Sequence, residues 1–277
     1  MKVIVAEPRG FCAGVKRAVQ LAEQSLQRGK SVYSLGPLIH NPQVVERLQK
    51  QGLKVTDSLA KVPDSAAVLI RSHGEAPQVF RQAQRRSLEV IDGTCVLVRR
   101  AQKIVKQLQD QGYQVLIVGD PNHPEVRGVM AYAPHAICLN DKSDLPKIAG
   151  HHRLGIIAQT TYSLTAFGWM VGLVVSSGCA EVKVVDTICQ ATHARQQAAL
   201  EVTKQVQVMF VLGGRQSANT ARLAELCAAQ GVSTYHLDSW QQFRKEYVRG
   251  KTVAGVTAGA STPDWAIEEF VRNLRKE

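Results

Sequence analysis

A chain of 277 residues, 45% hydrophobic and 21% charged, has the length and composition to bury a large core, in one domain or in two to three small ones. Aromatic residues make up only 5%, which argues against a surface that stacks on nucleobases, and no tract has the form of a nucleic-acid recognition module. The net charge of +11 is spread over helix-like segments (Lys16, Arg17, Arg28, Arg85, Arg86, Arg99, Arg100) and suits an anionic small molecule. The longest apolar stretch, FGWMVGLVV, is far below the ~20 residues of a bilayer span, so no membrane association is expected. Met1-Lys2 runs straight into a strand-like VIVAE, so no secretory leader is expected. Six cysteines without such a leader point to reduced thiols and metal or redox chemistry in a cytoplasmic protein.

Along the chain a Val/Ile-rich run, a polar turn and an amphipathic helix recur. KVIVAE opens the series and leads into VKRAVQLAEQSLQRG, whose apolar residues have helical spacing and whose end is a Gly. SVYSLG, AAVLIRS and LEVIDG follow, the last feeding VRRAQKIVKQLQDQG. QVLIVGD precedes the weakest helix signal, at HPEV, where Gly128 and Pro134 interrupt the pattern. RLGIIAQ, VKVVDT, VMFVLGG and TVAGVTAG complete nine strand units. Strands alternating with helices imply parallel βαβ units with right-handed crossovers.

A longer period overlies this one. Strand, turn, cysteine and helix recur as KVIVAEPRGFCAGVKRAV, LEVIDGTCVLVRRAQKIV and VKVVDTICQATHARQQAALEV, placing Cys12, Cys95 and Cys189 83 and 94 residues apart. The expected architecture is therefore three similar parallel-sheet α/β modules: residues 13–94, residues 95–187, and residues 188–277 together with the N-terminal strand in 1–12. Ligands of open parallel sheets bind at the carboxyl ends of the strands, so the polar turns at those ends are the candidate site.

Each of the three cysteines stands at a helix start, where the dipole and free N–H groups favour thiolate. Thiolate ligates iron–sulfur clusters and zinc. None lies in CxxC spacing, which disfavours a zinc knuckle or a ferredoxin-type carrier. Three ligands from three distant turns suit a cluster with one iron open to substrate; small buried hydrophobes or a zinc site with three thiolates remain the alternatives. Cys138, Cys179 and Cys227 lack the context and read as packing residues.

The other turns carry His40 in LIHNPQ, His73 in RSHGEA, His123 in GDPNHPEV, Thr160 in AQTTYS, Ser217 and Asn219 in GGRQSANT, and Ser261 in TAGASTP. Helix N-termini bearing hydroxyls and N–H groups suit phosphate, although Ser, Thr and Asn there are commonly plain caps. Histidine is the poorer cap, so three turn histidines weigh toward anion binding, where each is able to donate to a phosphate oxygen. Glu125, two residues beyond His123, is the carboxylate able to deliver protons if burial raises its pKa; its plain reading is a first-turn helix residue. His135, His151, His152, His193 and His236 lie outside such turns. GxGxxG, Walker A and HExxH patterns are absent, so no nucleotide or hydride cofactor site is visible.

Taken together, GFCAGVKRA, GPLIHNPQVVERL, RSHGEAP, DGTCVLV, HPEVRG, AQTTYS, DTICQAT, SANTARLAE and TAGASTPDW, in this order from residue 10 to 265, resemble the 4-hydroxy-3-methylbut-2-enyl diphosphate reductase family of the non-mevalonate isoprenoid pathway. The resemblance implies a trefoil of three α/β modules around one [4Fe-4S] cluster with an open iron, held by Cys12, Cys95 and Cys189. It implies a small allylic diphosphate as substrate, held by His40, His73, His123, Thr160, Ser217, Asn219 and Ser261. Glu125, with His123 and Thr160, would serve catalysis, and ferredoxin or flavodoxin would donate electrons. The expected reaction is reductive dehydroxylation of (E)-4-hydroxy-3-methylbut-2-enyl diphosphate to isopentenyl and dimethylallyl diphosphate. Three positions depart from the family's pattern: Ala218 replaces a second serine before Asn219, Val96 replaces a proline after Cys95, and Gln102 replaces a histidine. A cluster-based sensor, which needs neither Glu125 nor Thr160, and a hydro-lyase working without net electron flow are the competing readings.

Overall fold

The computed structural model describes residues 1–277. In chain order, β1 (Lys2–Val5) leads to α1 (Ala13–Gln27), β2 (Val32–Leu35), α2 (Pro42–Lys50), β3 (Lys54–Thr56), β4 (Ala67–Ile70), α3 (Pro77–Arg85) and β5 (Glu89–Asp92). Then come α4 (Val96–Asp110), β6 (Gln114–Val118), α5 (Pro124–Met130), β7 (Ile137–Leu139), β8 (Arg153–Ala158), α6 (Leu164–Val175) and β9 (Glu181–Val184). The last third holds α7 (Gln190–Thr203), β10 (Val208–Leu212), α8 (Ala218–Ala228), β11 (Ser233–Leu237), β12 (Val253–Ala258) and α9 (Asp264–Leu274).

These strands make three four-stranded sheets, β3-β2-β4-β5, β7-β6-β8-β9 and β11-β10-β12-β1, with every pairing parallel. The order is the same in all three, and in the third sheet the fourth place is filled by β1 from the start of the chain. The three parallel α/β modules expected from the sequence are thus present.

All nine expected strand units are found, and β3, β7 and β11 are three more. Each added strand occupies the same outer edge of its sheet. Two of them, KVT and ICL, have three residues, too few to show alternation, and STYHL carries mostly half-exposed polar side chains. The central strands AVLI of β4 and VMFVL of β10 are buried throughout, as strands covered on both faces must be. The helix at HPEV forms and is short: α5 has seven residues, begun by Pro124 at its first position.

Two compact units result. Residues 1–16, 39–47 and 190–277 contain the third sheet, whose core joins Phe210, Leu212 and Val256 to Ile267, Phe270 and Leu274 of α9. Residues 17–38 and 48–189 contain the other two sheets; there Leu154 and Ile156 of β8 pack on Phe167, Met170 and Val174 of α6. No helix is long and apolar enough to cross a membrane.

Candidate active site

The threefold order places the turns in matched positions. His40, His123 and Ser217 each lie five residues beyond the end of the first strand of a sheet, at Leu35, Val118 and Leu212. The third strands end at Ile70, Ala158 and Ala258, and deliver Ser72-His73, Thr160-Thr161 and Ala260-Ser261 two and three residues later. The fourth strands deliver the cysteines. Every candidate from the sequence therefore stands at a strand's carboxyl end, where open parallel sheets bind ligands.

Cys12, Cys95 and Cys189 each immediately precede a helix, form no disulfide and are half-buried. Each one's N–H is fixed by the residue two beyond the end of the third strand: Cys12 donates to the Ala260 carbonyl at 3.1 Å, Cys95 to Ser72 at 3.0 Å and Cys189 to Thr160 at 2.8 Å. The Val15 N–H reaches Cys12 Sγ at 3.5 Å, so helix α1 offers this sulfur a donor. The remaining cysteines differ in chemistry. Burial pushes the Cys227 thiol up to about 12, and burial with Asp144 and Asp120 nearby pushes Cys138 up to about 11, so both stay protonated. Cys138 donates to the Gly119 carbonyl and Cys179 contacts the Val174 carbonyl, which are structural uses.

In the unit of residues 17–38 and 48–189, Glu125 is 3% exposed and accepts two bonds from one residue. The Thr160 N–H reaches Oε1 and the Thr160 hydroxyl reaches Oε2, both at 2.7 Å. Burial raises the Glu125 pKa above the ordinary carboxylate value, and the two Thr160 bonds oppose that rise. His123 caps α5, its Nδ1 accepting the Glu125 N–H at 3.2 Å. A poor cap by preference, histidine nonetheless fills that role here. With Nδ1 accepting, the neutral ring carries its proton on Nε2. His73 packs edge-on against His123, with ring centroids 5.5 Å apart.

In the unit of residues 1–16, 39–47 and 190–277, the Ser261 hydroxyl donates to the His40 carbonyl at 3.3 Å. Gly214 also lies against that carbonyl, since a Cβ there would come within 2.6 Å of it, which explains the glycine in GGRQSANT. Ser217 caps α8, accepting the Thr220 N–H at 3.3 Å, and its own hydroxyl proton remains available to a ligand. Asn219 is 3% exposed with neither Oδ1 nor Nδ2 hydrogen-bonded within the chain. A buried amide in that condition marks a place built for an outside partner.

The sequence profile of the LytB protein family matches residues 3–275. The chain belongs to the LytB family. It is 42% identical, over all of its length and 98% of the relative's, to 4-hydroxy-3-methylbut-2-enyl diphosphate reductase of Geotalea uraniireducens, and 41% identical over the same shares to that of Geobacter metallireducens. A solved structure described as (E)-4-hydroxy-3-methyl-but-2-enyl diphosphate reductase, the terminal enzyme of the non-mevalonate pathway, is 40% identical, covers both chains fully and has a TM-score of 0.73. The E-1-hydroxy-2-methyl-but-2-enyl-4-diphosphate reductase of Plasmodium falciparum, 26% identical, covers 99% of this chain and 87% of its own, with a TM-score of 0.95.

Against this LytB background the three departures are local. Val96, 66% exposed, is the first residue of α4; Gln102 is buried on the same helix, its Nε2 against Gly74; Ala218 is the first residue of α8. The donor set of this LytB chain also fits an iron–sulfur group: three half-buried thiols outside any disulfide stand at helix starts, while burial raises the Cys138 and Cys227 thiols out of thiolate range. Two arginines escaped the sequence reading. Arg17 donates to the Thr94 and Asp92 carbonyls, and Arg195 to four carbonyls around residues 8–10 and 258. Nothing in the local sequence DTICQATHAR sets Arg195 apart from an ordinary helix cation.

Proposed function

We propose that this chain catalyses the reductive dehydroxylation of (E)-4-hydroxy-3-methylbut-2-enyl diphosphate to isopentenyl and dimethylallyl diphosphate, the last step of the non-mevalonate pathway. The observation that carries the reading is the buried Glu125 carboxyl held by Thr160, its pKa raised by burial, in a site otherwise rich in donors. The balance is one allylic alcohol, two electrons and two protons in, and one alkene and one water out.

Cys12, Cys95 and Cys189 would hold a [4Fe-4S] cluster, which when bound supplies the two electrons and a Lewis-acidic iron for the alcohol. His40, His73, His123, Ser217, Asn219 and Ser261 bind the diphosphate: the Asn219 amide gains the partner it lacks, and His123 donates from Nε2. Thr160 orients the Glu125 carboxyl through its N–H, and its hydroxyl passes protons between that carboxyl and the substrate. Glu125, reprotonated from solvent between the two transfers, supplies the proton that leaves in the water and the proton that completes the alkene. Ferredoxin or flavodoxin delivers electrons singly, in a cytoplasm that keeps the three thiols reduced.

A sensor would have no use for a proton donor, and a hydro-lyase would turn over without reductant. The test is anaerobic purification, iron and sulfide quantification, and an assay driven by a low-potential reductant. Brown protein forming both alkenyl diphosphates only with reductant is expected; iron-poor protein with full activity, or turnover without reductant, overturns the proposal.

A further inference from the structure

The three cysteine turns are held in two different ways. In two of them the residue three before the cysteine is an aspartate that fixes its own turn. Asp92 Oδ1 accepts the Thr94 N–H at 2.8 Å ahead of Cys95, and Asp186 Oδ1 accepts the Ile188 N–H at 2.8 Å ahead of Cys189. The matching position before Cys12 is Arg9, whose side chain has no acceptor to fix the turn and points instead to Glu7, Asp264 and Glu268. This turn is also the longest, running from Val5 to Cys12.

What replaces the aspartate is Arg195 on α7. Arg195 is only 3% exposed. Nη2 donates to the Gly10 carbonyl at 2.7 Å and, at greater length, to Arg9 at 3.4 Å; Nη1 donates to Pro8 at 3.2 Å and to Ala258 at 3.5 Å. Three consecutive carbonyls of the Cys12 turn thus face one rigid fork, and the fourth ties that turn to the end of β12, two residues before the Ala260 carbonyl that accepts the Cys12 N–H. Lysine cannot reproduce this, because its single ammonium lacks the planar fork. The guanidinium also stays charged at every accessible pH, so it places a fixed cation inside the fold beside a ligand turn.

We infer that Arg195 is a positioning residue: it holds the Cys12 turn in its ligating shape and adds a permanent positive charge that makes the bound cluster easier to reduce. The inference rests on the cluster assignment proposed above. The charge effect follows because reduction adds an electron, and a nearby cation stabilises the more negative state.

Two readouts test it, with R195M removing fork and charge and R195K keeping the charge alone; far-UV circular dichroism checks that each folds. In the cluster-free full chain, amide hydrogen exchange at residues 9–12 should quicken in both variants and stay unchanged at residues 92–95. In the anaerobically reconstituted protein, the midpoint potential should fall in R195M and stay near the parent value in R195K. Parental exchange at residues 9–12 in both variants, or a parental potential in R195M, overturns the inference. A parent that takes up no iron overturns the proposed function instead, and the parent is measured first.

Discussion

Thr160 links two parts of the candidate site: its N–H and hydroxyl go to the Glu125 carboxyl, while its carbonyl accepts the Cys189 N–H at 2.8 Å. One residue therefore fixes the orientation of the buried acid and the backbone of a candidate ligand turn. A displacement of the Cys189 turn is felt at Glu125, and the reverse. Backbone groups are the stiffest connection available for such a task, because they carry no rotamer freedom.

The buried acid gives the first prediction. E125Q keeps shape and burial but cannot release a proton, so kcat should fall by roughly 10²–10⁴-fold, the usual worth of a general acid, with the cluster intact. Stability gives an independent check. The folded-state pKa of Glu125 is raised, so its contribution is fully present below the unfolded value of about 4.3 and is lost as pH rises through the folded value. The parent should therefore lose stability over that rise while E125Q does not. Parallel pH–stability curves would refute the burial argument.

Removing the Thr160 hydroxyl acts on the same acid with a defined sign. That bond lowers the Glu125 pKa, so T160V should raise it further. The alkaline limb of the kcat profile, where the acid loses its proton, should then move to higher pH, and T160S should restore it. An unmoved limb in T160V would separate the hydroxyl from the proton donor.

The cysteines divide by environment. C12S, C95S and C189S should each lose most of the iron and the brown colour, since hydroxyl is a poor ligand for iron–sulfur clusters. C227S should keep both, because Cys227 is buried at the core with a thiol pushed up to about 12. Iron retained in full by C95S would remove that residue from the ligand set.

How far the sequence shows this site depends on how local each feature is. The turns were legible because a strand end, a polar turn and a helix start are adjacent in the chain, and so the cysteines, Glu125 and the turn histidines all stood out. The edge strands β3 and β7 were not, because three residues carry no period and an edge position is set by partners far away in sequence. Arg195 was invisible for the same reason: its acceptors at residues 8–10 lie more than 180 residues away. His123 shows that a residue read from the sequence as a poor cap can still cap, through Nδ1.

Val96 offers a stability prediction. It occupies the first position of α4, 66% exposed, after Cys95 at φ −59° and ψ 138°, the extended conformation that a residue before proline adopts. V96P should therefore fit without strain and stabilise by about 0.4–1 kcal/mol, chiefly by restricting the unfolded chain. A lower melting temperature in V96P would mean that the Cys95 turn depends on freedom at residue 96.

Ala218 sits between the capping hydroxyl of Ser217 and the unpartnered amide of Asn219, half-buried at the first position of α8. A serine there would add one donor where a diphosphate is expected. A net hydrogen bond contributes about 1 kcal/mol, more to a charged acceptor. A218S should accordingly lower KM by roughly fivefold or more with kcat little changed, because a contact to the diphosphate is made equally in ground and transition states. If KM stays at the parent value, the N-terminus of α8 already saturates the diphosphate oxygens through Ser217, Asn219 and its backbone N–H groups, and the missing hydroxyl is without consequence.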